Sequence, residues 1–403
     1  MPTEHILSSY FLRLLADRIG WQSVNEYDRG LLQDLSRGVT DLSRLFTRNR
    51  PGLERQYLAE ERLRLAYLSY FLPVNAAKVK TVLDELPESD LHDQPIQAND
   101  PLRVLDIGSG LGTASLAVLD WMQQFSRRPR RIEVTAVDSV RAALDDAQNL
   151  WNRYCRLSAI DHARLQSVHA NLERHAWIKC VDSSNPYQVI IIANTLNELY
   201  RTAHNPVQRQ VQLIQVLLER LDDHGSMIIL EPALRQTTRS LHRVRDHLLA
   251  LNACTVYSPC LHEHSCPALV KEDDWCHEER PWVPPSWISA IDQEVGFIKD
   301  ALKFSYVVLR KDGARIVPRN QDVFRLVSEL RTLKGDTRAW VCNETGRAEV
   351  GRLDRDEAES NASVGEWHRG AIVRISGIEK KGSGSIGRVK PTTSVQIIRP
   401  VSS

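Results

Sequence analysis

The chain has 403 residues, with 52 Lys plus Arg against 51 Asp plus Glu and a formal net charge of +1. That length holds two or three domains. The charge balance excludes a wholly basic nucleic-acid-binding chain, so any RNA contact must come from local patches. No apolar run reaches the ~18 to 20 residues a membrane span requires. The start, MPTEHILSSYFLRLLADRIG, lacks the basic opening and apolar core of a targeting segment. No membrane partner, a cytoplasmic location and seven cysteines kept reduced unless metal-bound are therefore expected.

Residues 1–95 read as a helical region. Ile6, Phe11, Leu14, Leu15 and Ile19 recur at helical spacing, as do Leu31, Leu32, Leu35, Val39, Leu42 and Leu45. A third helical stretch, 53–86, is expected to break at Pro73. Its Tyr67, Tyr70 and Phe71 carry rings able to stack on bases, but their spacing is that of a core face. The region reads as a helical cap on the domain that follows. Residues 88–100 are polar and proline-bearing, the composition of a linker.

PLRVLDIGSGLGTASLAVL, residues 101–119, organises the rest. Leu102, Val104, Leu105 and Ile107 form an apolar run of the kind found in strands buried on both faces. The run ends in Asp106-Ile107-Gly108-Ser109-Gly110-Leu111-Gly112, and a helix is expected from Ala114 to about Phe125. Glycines let the backbone turn tightly and approach a ligand that any Cβ would push away. No Lys-Ser/Thr follows them, which excludes a phosphate-cradling Walker loop. Ile132 to Asp138 reads as a second strand ending in an acid, placed to take two ribose hydroxyls. This pattern resembles the S-adenosylmethionine-dependent methyltransferases of the Rossmann-like class; a nicotinamide site would show GxGxxG. The resemblance implies that Asp106, Gly108, Ser109, Gly110 and Gly112 hold the methionine end of S-adenosyl-L-methionine, and Asp138 its ribose.

A helix from Val140 to about Tyr154 leads to a third strand, Ala163 to His169. The same resemblance places an adenine contact at Asn171, where an Asp is commoner. Val189 to Ala193 make the fourth strand, with Asn194 at its carboxyl end, the edge where open α/β sheets bind ligands. Methyltransferases acting on exocyclic amines carry Asn/Asp-Pro-Pro-aromatic here. Asn194-Thr195-Leu196-Asn197-Glu198 does not support that specificity, and no catalytic residue is identified; Asn194 and Glu198 are candidates for acceptor contacts. A helix over 206–222, a strand Ser226 to Leu230, a helix to about Leu251 and a last strand, Phe304 to Leu309, expected at the antiparallel edge, complete a Rossmann-like domain over 100–312.

Within that domain, 254–282 is a Cys-rich insertion. Cys260, Cys266 and Cys276 lie in a C-x5-C-x9-C arrangement, with His262, His264 and His277 among them. Clustered cysteines in a reducing compartment point to metal or catalysis before disulfides. The spacing matches no common zinc finger, whose ligands arrive as C-x2–4-C pairs. Three close cysteines plus a distant one is a pattern used by iron–sulfur sites. Cys342, in RAWVCNETGR beside a glycine turn, is the choice for the fourth ligand; zinc is the alternative. Pro259-Cys260 also resembles the Pro-Cys nucleophile of cytosine-5 methyltransferases, but it follows the fifth strand and a further helix, and two more cysteines stand nearby.

From Arg315 the character changes. A short helical segment, 322–333, is expected to lead into RAWVCN, GRAEVGRL, GAIVRISGI and SVQIIRP, strand-like pieces that suggest a β-rich lobe over 313–403. Three local basic patches stand out: the glycine-rich loop around Lys380, Lys381, Arg388 and Lys390; Arg127, Arg128, Arg130 and Arg131; and Arg235, Arg239, Arg243 and Arg245.

AYLSYFLPVNAAKV (66–79), VLDIGSGLGTA (104–114), IIIANTLNEL (190–199), SPCLHEHSCPAL and DDWCHE (258–278) together resemble the methyltransferase-like proteins of the small ribosomal subunit, found in mitochondria and bacteria. The resemblance implies a Rossmann-like domain and a 4Fe–4S cluster on Cys260, Cys266, Cys276 and Cys342. It also implies association with the small ribosomal subunit and its rRNA during assembly or translation. Methyl transfer and docking without catalysis both stay open, and no motif specifies an oligomeric state.

Overall fold

A computed structural model describes residues 6–21, 23, 25–26, 28–47, 57–87, 101–125, 131–181, 184–298, 300–380, 382 and 386–401. The expected linker at 88–100, the arginines at 127, 128 and 130, and Lys381 lie outside the described residues.

Helices come first: α1 (Ser9–Ile19), α2 (Arg29–Thr47), α3 (Glu61–Ala66) and α4 (Leu72–Leu83). Strands and helices then alternate through β1 (Leu102–Ile107), α5 (Thr113–Phe125), β2 (Ile132–Asp138), α6 (Arg141–Leu157), β3 (Ala163–His169), β4 (Tyr187–Ala193), α7 (Pro206–Leu218), β5 (Leu221–Pro232) and α8 (Arg235–Ala250). Next come β6 (Thr255–Ser258), β7 (Glu278–Pro281), α9 (Ser286–Val295) and β8 (Ala301–Arg310). The tail is β9 (Val323–Leu326), β10 (Arg331–Leu333), β11 (Asp336–Asn343), β12 (Gly346–Leu353), β13 (Ile372–Ser376), β14 (Gly387–Val389) and β15 (Ser394–Arg399). These elements form two compact units, one of residues 1–206, 219–230 and 281–302, the other of 207–218, 231–280 and 303–403.

The first unit carries a parallel sheet in the order β3-β2-β1-β4-β5. Leu102, Val104, Leu105 and Ile107 are all at most 1% exposed, because helices cover both faces of the central strand. The order reverses between β1 and β4, and a crevice opens there at the carboxyl ends. This is the α/β class expected. The N-terminal helices pack onto the sheet's helices as a cap. Lys80 of α4 bonds Asp120 and Gln124 of α5, and Asp120 also accepts from Ser8 Oγ and, at 2.7 Å, from Tyr154 Oη of α6. Lys80 and Asp120 are almost wholly buried. Burial pulls the Lys80 ammonium below its usual range, against the pull of Asp120.

Pro73 does not break the cap. The chain passes through a π-helical turn, Tyr67–Phe71, and Pro73 falls in the first turn of α4. The Ser69 carbonyl, four residues before Pro73 and so denied its N–H, accepts from Trp287 Nε1 at 2.8 Å, and the wider π turn absorbs the change of register.

In the second unit β8 pairs with β6 antiparallel and with β7, so β8 is not an edge strand as expected. A second sheet runs β14-β12-β11-β9-β13-β15, with β10 beside β11. Leu326, Ala339, Val341, Val350, Trp367, Val373, Ile375 and Val389 form its core. This is the β-rich lobe foreseen, with one correction: 322–333 is not helical but supplies β9 and β10. Val323, Leu326, Val327 and Leu330 mimic helical spacing. Pairing of Arg325 with Cys342 and of Phe324 with Val373 places the segment between two strands, where ladder hydrogen bonds outweigh local periodicity.

Candidate functional site

Two sites emerge, one in each unit. In the first, the end of β1 turns sharply: Gly108, Gly110 and Gly112 have φ of 70°, 52° and 75°, a region other residues enter only at a cost. Gly108 and Ser109 donate to the Val137 carbonyl at 2.8 and 3.1 Å, and Gly112 donates to Ser109 O at 2.8 Å. The loop is thereby pinned between β1 and β2. Asp106 is 1% exposed and accepts from Ser115 N at 3.0 Å and Ser115 Oγ at 2.6 Å. Burial raises its carboxyl to about 6, while the Ser115 bonds oppose the rise.

Asp138 stands at the end of β2. Its Oδ2 accepts from Gly110 N at 2.9 Å and its Oδ1 from Val140 N at 2.8 Å, and the Ser139 backbone adds a third donor, which still leaves the carboxylate acceptor capacity for a ligand hydroxyl. Burial raises its carboxyl too, against the pull of those backbone donors. Ala170 donates to Asp138 O at 2.9 Å, which brings Asn171 to the same rim. Asn171 is exposed, and its Oδ1 is engaged by Glu173 N at 2.9 Å. Asn194 takes a left-handed φ of 57° at the end of β4, a strained conformation of the kind that collects at functional sites. Thr195 lies on the glycine turn: its Oγ1 donates to Gly108 O at 3.1 Å, and a Cβ on Gly108 would sit 2.2 Å from Thr195 Cγ2. The structure thus brings Asp106, the glycines, Asp138, Asn171 and Asn194 to one sheet edge.

Tyr57 and Tyr67 were missed as members of this edge. Leu58 Cδ1 would lie 3.3 Å from a Cβ on Gly110, which sets the Tyr57–Ala59 turn on the glycine loop. Arg64 holds that turn by donating to Leu58 O and Ala59 O and pairs with Asp146 of α6. Burial raises the Tyr57 phenol, and Glu198, Tyr67 and Asp138 add to the rise. Tyr67, which takes a 3.3 Å bond from Asn75 Nδ2, is raised by burial with smaller contributions from Glu198 and Asp106. The Tyr67/Phe71 spacing reads as a core face; the π turn that redirects Tyr67 left no signal in the sequence.

In the second unit Cys260, Cys266, Cys276 and Cys342 line one cavity. Burial drives all three thiols at 266, 276 and 342 upward, Cys276 to about 12, and the neighbouring thiols reinforce the rise while Arg245 or Arg347 opposes it. Among the described residues no group of three or more His, Cys, Asp or Glu is arranged so as to hold a metal ion. Cys155, Cys180 and Cys254 lie away from the cavity lining.

Helix α8 scaffolds the cysteine loop. Arg239 Nη1 donates to Ala268 O, Lys271 O and Asp274 O at 2.9, 2.6 and 2.6 Å. Arg245 donates to His262 O at 2.5 Å and His264 O at 2.8 Å, and pairs with Asp246, which accepts from Cys266 N at 2.9 Å. These two arginines are buried, so the patch expected at Arg235, Arg239, Arg243 and Arg245 is halved: only Arg235 and Arg243 face solvent.

The sequence profile of the family described as mitochondrial small ribosomal subunit Rsm22 matches residues 60–367, more than half of the chain. The chain belongs to the Rsm22 family. The matched region includes both sites: the glycine turn and every cysteine of the cavity. No curated protein sequence matches. Among solved structures, a Listeria monocytogenes protein named as a class I S-adenosylmethionine-dependent methyltransferase is 12% identical, covers 77% of this chain and 90% of its own, and has a TM-score of 0.39. An O-methyltransferase family protein from Burkholderia thailandensis is 12% identical, over 69% of this chain and 73% of its own, with a TM-score of 0.34. A TehB-like methyltransferase from Corynebacterium glutamicum is 13% identical, over 58% and 86%, at 0.29. Likeness of that degree carries no functional argument. Among the described residues no helix is long and apolar enough to cross a membrane.

Proposed function

We propose that this Rsm22-family chain is an S-adenosyl-L-methionine-binding, methyltransferase-like protein that acts on or with the small ribosomal subunit and its rRNA. The cofactor lies on Asp106, Gly108, Ser109, Gly110, Gly112 and Asp138, with Asn171 and Asn194 at its rim. One observation carries the cofactor reading: three glycines with left-handed φ stand between two strand-end carboxylates where the strand order of the parallel sheet reverses. The Ser109 hydroxyl, buried there without a hydrogen-bond partner among the described residues, fits a polar ligand. The family match supports the ribosomal partner, and the compartment follows that subunit, cytoplasmic or mitochondrial. Catalysis would consist mainly of holding the acceptor in line with the sulfonium methyl. The packing of Thr195 on Gly108 narrows the crevice and favours a second reading, a non-catalytic assembly factor that docks on immature RNA.

The same proposal assigns Cys260, Cys266, Cys276 and Cys342 to a 4Fe–4S cluster. An all-sulfur donor set suits iron–sulfur or zinc. Their common cavity, with Arg245 and Arg347 near enough to oppose the buildup of thiolate charge, supports a group that carries negative charge. Such a cluster cross-links the cysteine loop to β11. Incubating labelled cofactor with small subunits lacking this protein separates the two functional readings. Label in the rRNA supports the enzyme; co-sedimentation without label supports the docking factor, and calorimetry showing no cofactor binding by folded protein refutes the cofactor site.

A further inference from the structure

His242 Nδ1, His277 Nδ1, Ser305 Oγ and Arg347 Nε, all on lining residues of the cysteine cavity, are buried with no hydrogen-bond partner among the described residues. A buried polar atom that nothing pairs is costly, so several of them on residues lining one cavity point to an occupant. Neighbouring bonds decide what each atom offers. Arg369 Nη1 lies 3.2 Å from His277 Nε2, and a guanidinium has only protons to give. Nε2 therefore accepts, and the ring proton sits on Nδ1. The same Nη1 donates to the His277 carbonyl at 3.1 Å, which locks ring and backbone together. His242 is the converse: its Nε2 lies 3.2 Å from the Cys276 carbonyl, which only accepts, so its Nδ1 is bare. Ser305, on β8 and 1% exposed, carries a hydroxyl proton free to rotate toward an acceptor. His277 Nδ1–H and Ser305 Oγ–H, with the Arg347 Nε–H, are thus unpaired donors on residues that line the cavity of the four thiols.

We propose that His277 Nδ1–H and Ser305 Oγ–H donate hydrogen bonds to the sulfur of the group held by the four cysteines, and that Arg369 is a positioning residue that fixes the His277 tautomer. This rests on the iron–sulfur reading above. Donors to cluster or thiolate sulfur favour the more negative, reduced state and so raise the reduction potential. Removing a donor lowers the potential without removing a ligand.

The test uses the full chain purified without oxygen, assayed for iron and sulfide, then titrated with reductant under electron paramagnetic resonance. Ser305→Ala and His277→Phe are expected to keep about four irons per chain and to shift the potential to more negative values. Ser305→Thr, which retains the hydroxyl, restores it, and Arg369→Met shifts it part of the way in the same direction. If His277→Phe loses its iron, the Ser305→Ala and Ser305→Thr pair decides alone. Iron-loaded Ser305→Ala with the wild-type potential overturns the inference and leaves the cluster standing. Wild-type protein that takes up one zinc and no iron overturns the cluster reading, and the inference with it.

Discussion

The glycine turn is built of backbone; the cysteine cavity is lined by side chains. Asp106 to Asp138 form one strand–turn–helix–strand stretch, and the turn is pinned by bonds among its own neighbours, Gly108 and Ser109 on Val137 and Gly110 on Asp138. The cavity instead gathers Cys260, Cys266 and Cys276 from a loop and Cys342 from β11, and the loop is held from outside by Arg239 and Arg245. A locally pinned site tolerates damage elsewhere. One held by distant guanidinium groups fails when a single buried cation is lost, because its backbone carbonyls are then unpaired.

The sharpest break is Gly110→Val. A branched side chain must enter φ of 52° and press on Leu58, and cofactor binding should weaken at least about 100-fold, roughly 3 kcal/mol. Calorimetry reads the loss, and iron content should stay at the wild-type level. Arg245→Met attacks the other site. Leaving the His262 and His264 carbonyls and Asp246 without their donor should cost about 2–5 kcal/mol. Denaturant unfolding and faster proteolysis of the cysteine loop would show it; an undamaged loop would mean that Arg245 only fills space. Cofactor affinity should hardly move.

Asp106 makes the comparison titratable. Its carboxyl is raised to about 6 in the fold against about 3.9 unfolded. Between those values the native state binds more protons than the unfolded one. The stability it contributes is therefore fully present below pH ~4 and is lost as pH rises to ~6, a change of about 3 kcal/mol. Asp106→Asn should flatten that part of the stability–pH curve for the ligand-free protein, and an unchanged slope would show that another group titrates there. Smallest is Tyr67→Phe, which removes the hydroxyl bonded by Asn75. A several-fold loss of cofactor affinity, about 0.5–1.5 kcal/mol, is expected; equal affinity would place Tyr67 outside the site.

Strand β1, its glycine turn and Asp138 were legible because an apolar run, glycines and a strand-end acid act over a few residues. The grouping of Cys260, Cys266 and Cys276 was legible from proximity in sequence. Cys342 stood apart by its turn and by family likeness, and its place on β11 beside the cavity depends on a sheet whose β9 was misread as a helix. The roles of Tyr57 and Tyr67 were hidden by the π turn, and Arg239 and Arg245 passed for surface charge.

By itself the sequence determined where the chain turns, which strands are buried and which residues carry sulfur, since φ/ψ preference and hydrophobic period are properties of neighbouring residues. Tertiary structure alone decided which charges leave water and what they meet there. Arg245 is exposed or buried, and His277 protonated on one nitrogen or the other, only through partners brought from far along the chain, because desolvation and hydrogen bonding depend on position in space.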